Sequence, residues 1–186
     1  MEKISTIGLD LAKSVFQVHG AAACGETVLR KRLRRAQVLG FFAELAPCVV
    51  AMEACAGAHY WGRELARFGH EVKLIPAQYV KPYVKRQKND AADAEAICEA
   101  AQRPTMRFVA VKSAAQQGAA VAFRARDLLV RQRTQLINAL RGHLTEYGVV
   151  AAKGPAHMRA LRGMIEQAQP EARAALALLA DMLADI

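Results

Sequence analysis

Several features that would commit the chain to a particular class are missing from its 186 residues. No apolar run approaches the roughly 20 residues that a membrane-spanning helix needs. The chain opens with MEKISTIGLD, which carries an acid and alternates like a strand, so it does not read as a signal peptide. The four cysteines form no C-x-x-C pair, and the histidines match no zinc spacing. We therefore expect a cytoplasmic protein with reduced, mostly buried thiols.

Nucleotide-binding and compact DNA-reading motifs are missing too. The sequence contains neither a G-x-x-x-x-G-K-[ST] loop nor a G-x-G-x-x-G fingerprint, so a phosphate-cradling loop of either kind is unsupported. It also shows no helix-turn-helix or zinc-finger signature. An ATPase related to actin or the sugar kinases also opens with a strand, an aspartate and a hairpin. That class is disfavoured because it needs a second Gly-rich nucleotide motif.

Positive charge is what the sequence does contain. The formal net charge is +9, and basic residues gather near 30–35, 81–88 and 124–141. Any one cluster alone is equally consistent with a solvated face, but three clusters, one beside a run of carboxylates, indicate a nucleic-acid partner. The side chains that we expect to contact nucleic acid are Lys13, Arg30, Arg32, Arg34, Arg35, Lys81, Lys85, Arg86 and Lys88.

The first third of the chain predicts an antiparallel meander. Period-two alternation over 4–9, 14–19 and 27–33 is typical of strands. Only a few residues separate the first two runs, which indicates a hairpin, and a small, turn-like stretch precedes the third.

Beyond this meander, helices alternate with short strands. Helical spacing predicts helices over 37–45, 58–68 and 91–102. The apolar runs 48–52 and 72–75 are typical of parallel strands, the first buried on both sides. The order β-β-β-α-β-α-β therefore predicts an α/β fold, a mixed sheet with helices on its faces.

The second half of the chain predicts one long helix over 116–147, then a linker and a helical segment with a break near Pro170. The long helix carries a heptad-like apolar seam, which is coiled-coil-like in spacing. Such a seam packs either against its own domain or against a partner helix, so we expect an intra- or intermolecular helical pairing. The seam residues assigned to oligomerisation are Phe123, Val130, Ile137, Leu140 and Leu144.

Four carboxylates fall where the predicted fold brings separate segments together. Asp10 closes the first strand, Glu53 follows the buried run 48–52, and Asp90 and Asp93 are three apart on one helix face. Hard cations such as Mg²⁺ or Mn²⁺ bind carboxylate oxygens, and two such ions can activate an attacking oxygen and stabilise a leaving one. Each acid alone has a simpler explanation at a turn or helix end, but the combination predicts a catalytic metal site with two ions.

Other chemistry-bearing residues are weaker candidates. His59 and His19 are candidates to assist the acids, but a lone histidine is more often a structural hydrogen-bonding group. Tyr60 and Trp61 are expected in the core, packing a helix on the sheet.

Three blocks of the sequence resemble a known family. They are IGLDLAK at 7–13, MEACAGAHYW at 52–61 and KNDAADA at 88–94. Together they are similar to the signature blocks of the DEDD insertion-sequence transposases, the IS110 family with its IS1111 branch, which also includes the pilin-gene inverting recombinase. The resemblance covers the first half of the chain in motifs, and the helical remainder agrees in character.

The resemblance implies a RuvC-like, ribonuclease H-like fold in which Asp10, Glu53, Asp90 and Asp93 form the tetrad that binds Mg²⁺ (or Mn²⁺). It implies a homodimer or tetramer built partly through the long helix. It also implies donor and target DNA as partners and, in many members, a structured non-coding bridge RNA that pairs with both. The basic clusters suit such partners, because backbone contacts to nucleic acid are mostly made by Lys and Arg.

The sequence departs from the family in one respect. Members carry a C-terminal domain whose serine attacks DNA, and Ser5, Ser14 and Ser113 do not match it. We therefore expect a catalytic domain over 1–112, an oligomerisation helix over 113–147, and a linker with a helical segment over 148–186 that stops before the serine domain. This chain alone is not expected to complete strand exchange.

Two other interpretations remain open from the sequence. The first is a RuvC-like Holliday-junction resolvase, which shares the fold and the acids but cleaves four-way junctions by hydrolysis. The second is a non-catalytic module that binds nucleic acid or dimerises and whose acids are relics. An assay for junction cleavage separates the first from a transposase, and Asp10→Asn separates the second.

Overall fold

The computed structural model describes residues 3–84, 90–152, 154 and 158–186, without the side chains of Asp90, Met158 and Arg159. It forms two units, Met1–Ala115 and Gln116–Ile186. Among the described helices, not one combines the length and the apolar character needed to cross a membrane.

A mixed sheet of five strands forms the centre of the first unit. Its strands are β1 (Thr6–Asp10), β2 (Val15–Ala21), β3 (Thr27–Arg34), β4 (Val49–Glu53) and β5 (Glu71–Ile75). They lie side by side in the order β3-β2-β1-β4-β5. The first three strands are antiparallel, and β4 and β5 run parallel to β1. The predicted α/β class, a mixed sheet with an antiparallel meander followed by parallel strands, is confirmed.

Four helices accompany the sheet in the described part of the first unit. They are α1 (Val38–Glu44), α2 (Ala58–Ala66), α3 (Ala77–Val80) and α4 (Asp90–Ala101). All but the short α3 lie where the sequence predicts a helix. A short 3-10 turn (Lys81–Tyr83) follows α3. Beyond α4, the chain meets the sheet again through a bridge between Val109 and Leu74.

One face of the sheet packs against α1 and α2. Strand residues point alternately to the two faces, so Ile7, Leu9, Val50 and Met52 share this side, and all four are completely buried. They join Phe42, Trp61 and Leu65 in the largest core cluster. Tyr60 is 41% exposed, so its predicted core position is wrong. Consecutive helical residues do not face the same side, and Trp61 holds the inward position.

The other face of the sheet packs against α4, and a glycine makes the approach possible. A Cβ atom placed on Gly8 would lie 2.5 Å from the Cys98 amide nitrogen and 2.8 Å from the Cys98 Cβ, and closer still to the carbonyl oxygen of Ala94. The Cys98 thiol also donates to the Thr6 carbonyl oxygen at 3.6 Å. The helix backbone therefore rests directly on β1.

The second unit is helical throughout its described part. Its helices are α5 (Ala114–Glu146), which begins just before the unit boundary, α6 (Met158–Met164) and α7 (Pro170–Ala184). A small apolar core joins the last turns of α5 to α6 and α7, with Leu140, Leu144, Leu161 and Leu176 almost fully buried. The predicted break near Pro170 lies just before this proline, which starts α7 because a proline needs no amide partner in a first turn.

Candidate acidic site

Asp10 and Glu53 end neighbouring parallel strands on the same face of the sheet. Leu9 pairs with Met52, so the two acids occupy the next position along β1 and β4. Paired strands lie about 4.8 Å apart. Gly8 lies two positions before Asp10 and faces α4, and Ala51 lies two positions before Glu53 in the cluster that contains α4. Alternation therefore directs both carboxylates toward the α4 side.

The helix α4 brings the third acid to the same place. It runs antiparallel to β1, because Ala94 lies over Gly8 whereas Cys98, one turn later, also reaches Thr6. The start of α4 therefore lies at the Asp10 end of the strand. The three acids share a cavity of about 570 Å³, which is lined by Asp10, Glu53, Ala77, Val80, Lys81, Val84, Asp93 and Ile97.

The fourth predicted acid is only partly described. Asp90 is the first residue of α4, but its side chain lies outside the described residues, as do Lys85, Arg86 and Lys88. Among the side chains that the structure does describe, no three acids, histidines or cysteines are arranged closely enough to hold a metal ion. The donor type nevertheless fits a hard cation, since Asp10, Glu53 and Asp93 are half-buried carboxylates around one cavity.

The charges of the acidic site affect the pKa of a nearby thiol, that of Cys55. Burial raises the pKa of its thiol, and the negative charges of Glu53 and then Asp10 raise it further, while a backbone hydrogen bond acts in the opposite direction. The sequence predicted mostly buried thiols, which holds for Cys48 and Cys98 but not for Cys24 and Cys55. The sequence signal that could have indicated an exposed Cys55 was its position two residues after Glu53, at the end of a strand.

The two histidines have structural roles outside the acidic cavity. His59 Nδ1 accepts a hydrogen bond from the Lys112 backbone amide at 3.1 Å. Partial burial lowers the His59 pKa, and the neighbouring charges of Lys112 and Arg63 lower it further. His19 is buried and its Nε2 lies 3.3 Å from the Thr27 hydroxyl oxygen.

The basic residues of β3 and the turn after it divide between the two faces of the sheet. On the α4 side, Arg30 forms an ion pair of 3.3 Å with Glu95. On the opposite side, Lys31 lies 4.9 Å from the ring centre of Phe41, and Arg35 lies 5.1 Å from that of Trp61. Arg32 and Arg34 are exposed, as is Lys13 in the turn between β1 and β2. Lys81 lines the acidic cavity itself.

The residues of the predicted seam on the long helix fall into an exposed group and a buried group. Phe123 and Val130 are 75% and 41% exposed. Ile137 is half-buried, and Leu140 and Leu144 are completely buried in the core of their own unit. The assignment of Leu140 and Leu144 to a partner surface is therefore corrected: these two residues pair within the chain, because α6 and α7 cover them.

Comparison with known proteins identifies several relatives. A family model described as "Transposase", of the DEDD type found in IS110, matches residues 7–149. A probable family 20 transposase of Pseudomonas aeruginosa is 56% identical over 168 residues, which are 90% of this chain and 50% of the relative. The transposase of insertion sequence element IS1111A from Coxiella burnetii is 46% identical over 154 residues, which are 83% and 42% of the two chains. The chain thus spans about half the length of the curated relatives it matches.

A solved structure is similar in part. The chain is 14% identical to T. thermophilus RuvC, which was solved in complex with a Holliday junction substrate. The match covers 56% of this chain and 98% of that one, with a TM-score of 0.43.

Proposed function

The chain belongs to the DEDD transposase family of the IS110 type, and from that premise we propose that it is the metal-dependent catalytic part of a DNA transposase or recombinase. The observation that carries the proposal is the convergence of Asp10, Glu53 and Asp93, from three distant stretches of sequence, around one cavity. A solvated turn or a helix end would account for each acid separately but not for their common position.

The carboxylates are proposed to hold two Mg²⁺ or Mn²⁺ ions, with Asp90 as the fourth ligand residue. Bound there, the ions would activate the attacking oxygen and stabilise the leaving oxygen of a DNA phosphodiester. The half-buried positions of Asp10 and Glu53 limit access of bulk water, which strengthens their attraction for a cation. Lys81, on the wall of the same cavity, is positioned to attract the phosphate that the carboxylates alone would repel.

Donor and target DNA are the proposed partners of the basic residues. The support is the net charge of +9 together with the exposed side chains of Lys13, Arg32 and Arg34. We extend the proposal to a structured guide RNA, whose backbone would meet the same cations. The same proposal covers Lys85, Arg86 and Lys88, which the sequence places between Lys81 and Asp90.

Two parts of the reaction are assigned outside the acidic cavity. We propose that a nucleophilic serine for strand exchange is supplied by residues outside this cavity, since its described lining residues include none. We also propose a dimer or tetramer formed through the exposed part of α5, where Phe123 and Val130 present apolar surface.

A DNA-nicking assay tests the function. With Mn²⁺, the 186-residue chain is expected to nick supercoiled DNA without producing exchanged strands. Asp10→Asn and Glu53→Gln should each lower nicking by at least about a hundredfold, a typical loss for a group that stabilises charge in the transition state. Glu64→Gln removes the same charge from a surface pair with Arg67 and is the matched control. Undiminished nicking by both site variants contradicts the proposal.

A further inference from the structure

The acidic site continues across the sheet as a row of paired residues. Asp10 pairs with Gln17 on β2, and Gln17 pairs with Arg32 on β3. On the other side, Glu53 occupies the position beside Asp10 on β4. Cross-strand partners point to the same face, so Arg32, Gln17, Asp10 and Glu53 form one line on the α4 side of the sheet.

The neighbouring residues of β3 confirm which way Arg32 points. Arg30, two positions earlier, reaches Glu95 on α4, whereas Lys31 and Leu33 lie on the opposite face against α1 and the main core. Alternation therefore directs Arg32 to the same side as the acids.

Arg32 has no side-chain partner within the described part of the chain, unlike Arg30, Lys31 and Arg35. Arg30 is held by a carboxylate, and Lys31 and Arg35 lie against aromatic rings. The Arg32 side chain is exposed and makes no hydrogen bond, ion pair or ring contact with any described residue. An arginine fork with its donors open to solvent is suited to a phosphate, which it can bind through two parallel hydrogen bonds.

The row also explains the use of a neutral residue between the charges. Two strand spacings separate the Cα atoms of Arg32 and Asp10 by about 10 Å. An arginine at position 17 would lie beside Asp10 and compete with a cation for its carboxylate, and an acid there would repel a phosphate. Gln17 does neither, and its amide can donate to a phosphate or sugar oxygen.

From this row we infer that Arg32, with Gln17, forms a phosphate-binding subsite for a nucleic-acid strand that crosses the sheet from the β3 edge toward the carboxylates. The inference rests on the proposed function, because it assumes that a strand is bound over the acids. It makes Arg32 a positioning residue: it holds a phosphate beside the one that reacts. It also excludes Lys31 and Arg35 from this path, since both lie on the other face.

The test compares two charge removals on adjacent residues of one strand. Arg32→Gln and Lys31→Gln each remove one positive charge but from opposite faces of β3. Binding of a short fluorescein-labelled single-stranded DNA is measured by anisotropy in Ca²⁺ over a range of salt concentrations. We expect Arg32→Gln to weaken binding about tenfold and to lower the salt slope by about one, whereas Lys31→Gln changes both little. Arg32→Lys should fall between, because it keeps the charge and loses the fork.

Neutral methylphosphonate linkages locate the contact. When the linkages are introduced into the DNA one at a time, one position should weaken DNA binding by the parent chain. The same position should leave DNA binding by the Arg32→Gln variant unchanged. Equal losses from Arg32→Gln and Lys31→Gln, or no position with this behaviour, overturn the inference. The outcome is separate from that of the nicking assay, because binding in Ca²⁺ does not require the carboxylates to catalyse.

Discussion

The two units of the chain use apolar residues in different ways. In the first unit, Ile7, Leu9, Val50 and Met52 of β1 and β4 are completely buried, and Asp10 and Glu53 lie at the ends of these strands. In the second unit, only the last turns of α5 are covered, whereas Val121, Phe123 and Leu128 are 64%, 75% and 49% exposed. The first unit therefore carries a site that its own packing builds, and the second carries a helix face that no described residue covers.

The largest expected difference between the two units is in how a glycine-to-alanine substitution changes the free energy of unfolding. Gly8→Ala drives a methyl group into the backbone of α4, so we expect a loss of at least about 3 kcal/mol in the free energy of unfolding. Gly142→Ala lies in α5 with nothing within 4 Å of the new Cβ, and helix propensity predicts a gain of about 1 kcal/mol. Urea denaturation measures both, and a harmless Gly8→Ala would contradict the close packing of α4 on β1.

Truncation of two seam residues sharpens the comparison within α5. Leu144→Ala opens a cavity in a completely buried core and should cost about 3 kcal/mol at any protein concentration. Phe123→Ala removes a side chain that is 75% exposed, so in the monomer the cost should stay within about 0.5 kcal/mol.

Protein concentration then separates the two proposed roles of the helix. If Phe123 contacts a partner copy, Phe123→Ala should shift the monomer–oligomer equilibrium measured by sedimentation, whereas a matched exposed change, Gln132→Ala, should not. An unchanged equilibrium for Phe123→Ala would remove this residue from the proposed interface.

The smallest expected effect tests the electrostatics of the first unit. The charges of Glu53 and Asp10 raise the Cys55 pKa beyond the effect of burial, so Glu53→Gln and Asp10→Asn should each lower this pKa. More thiolate is then present at pH 8, and alkylation of Cys55 by iodoacetamide should become about two to five times faster. The exposed Cys24 is the internal control. Equal rates in the parent and in both variants would show that the carboxylates are not beside this thiol.

The sequence was sufficient for the strands and for the positions of Asp10 and Glu53, because alternation marks the first three strands and an apolar run marks β4. An apolar run that ends in a carboxylate predicts a charge at the end of a buried strand, and the structure places Asp10 and Glu53 there. The same reasoning could not assign Arg30, Lys31 and Arg32 to the side of the sheet covered by α1 or to the side covered by α4. That assignment depends on which face each helix packs against. Similarly, a heptad pattern does not state whether its partner is another chain or α6 and α7, which cover Leu140 and Leu144.

Titration of Mn²⁺ into the chain, followed by electron paramagnetic resonance, is the most direct test of the central claim that the converging acids hold divalent cations. We expect two bound ions per chain, with binding lost or weakened at least about tenfold in Asp10→Asn, Glu53→Gln and Asp93→Asn and unchanged in Glu64→Gln. Binding of Mn²⁺ by all three site variants with the affinity of the parent chain would contradict the account.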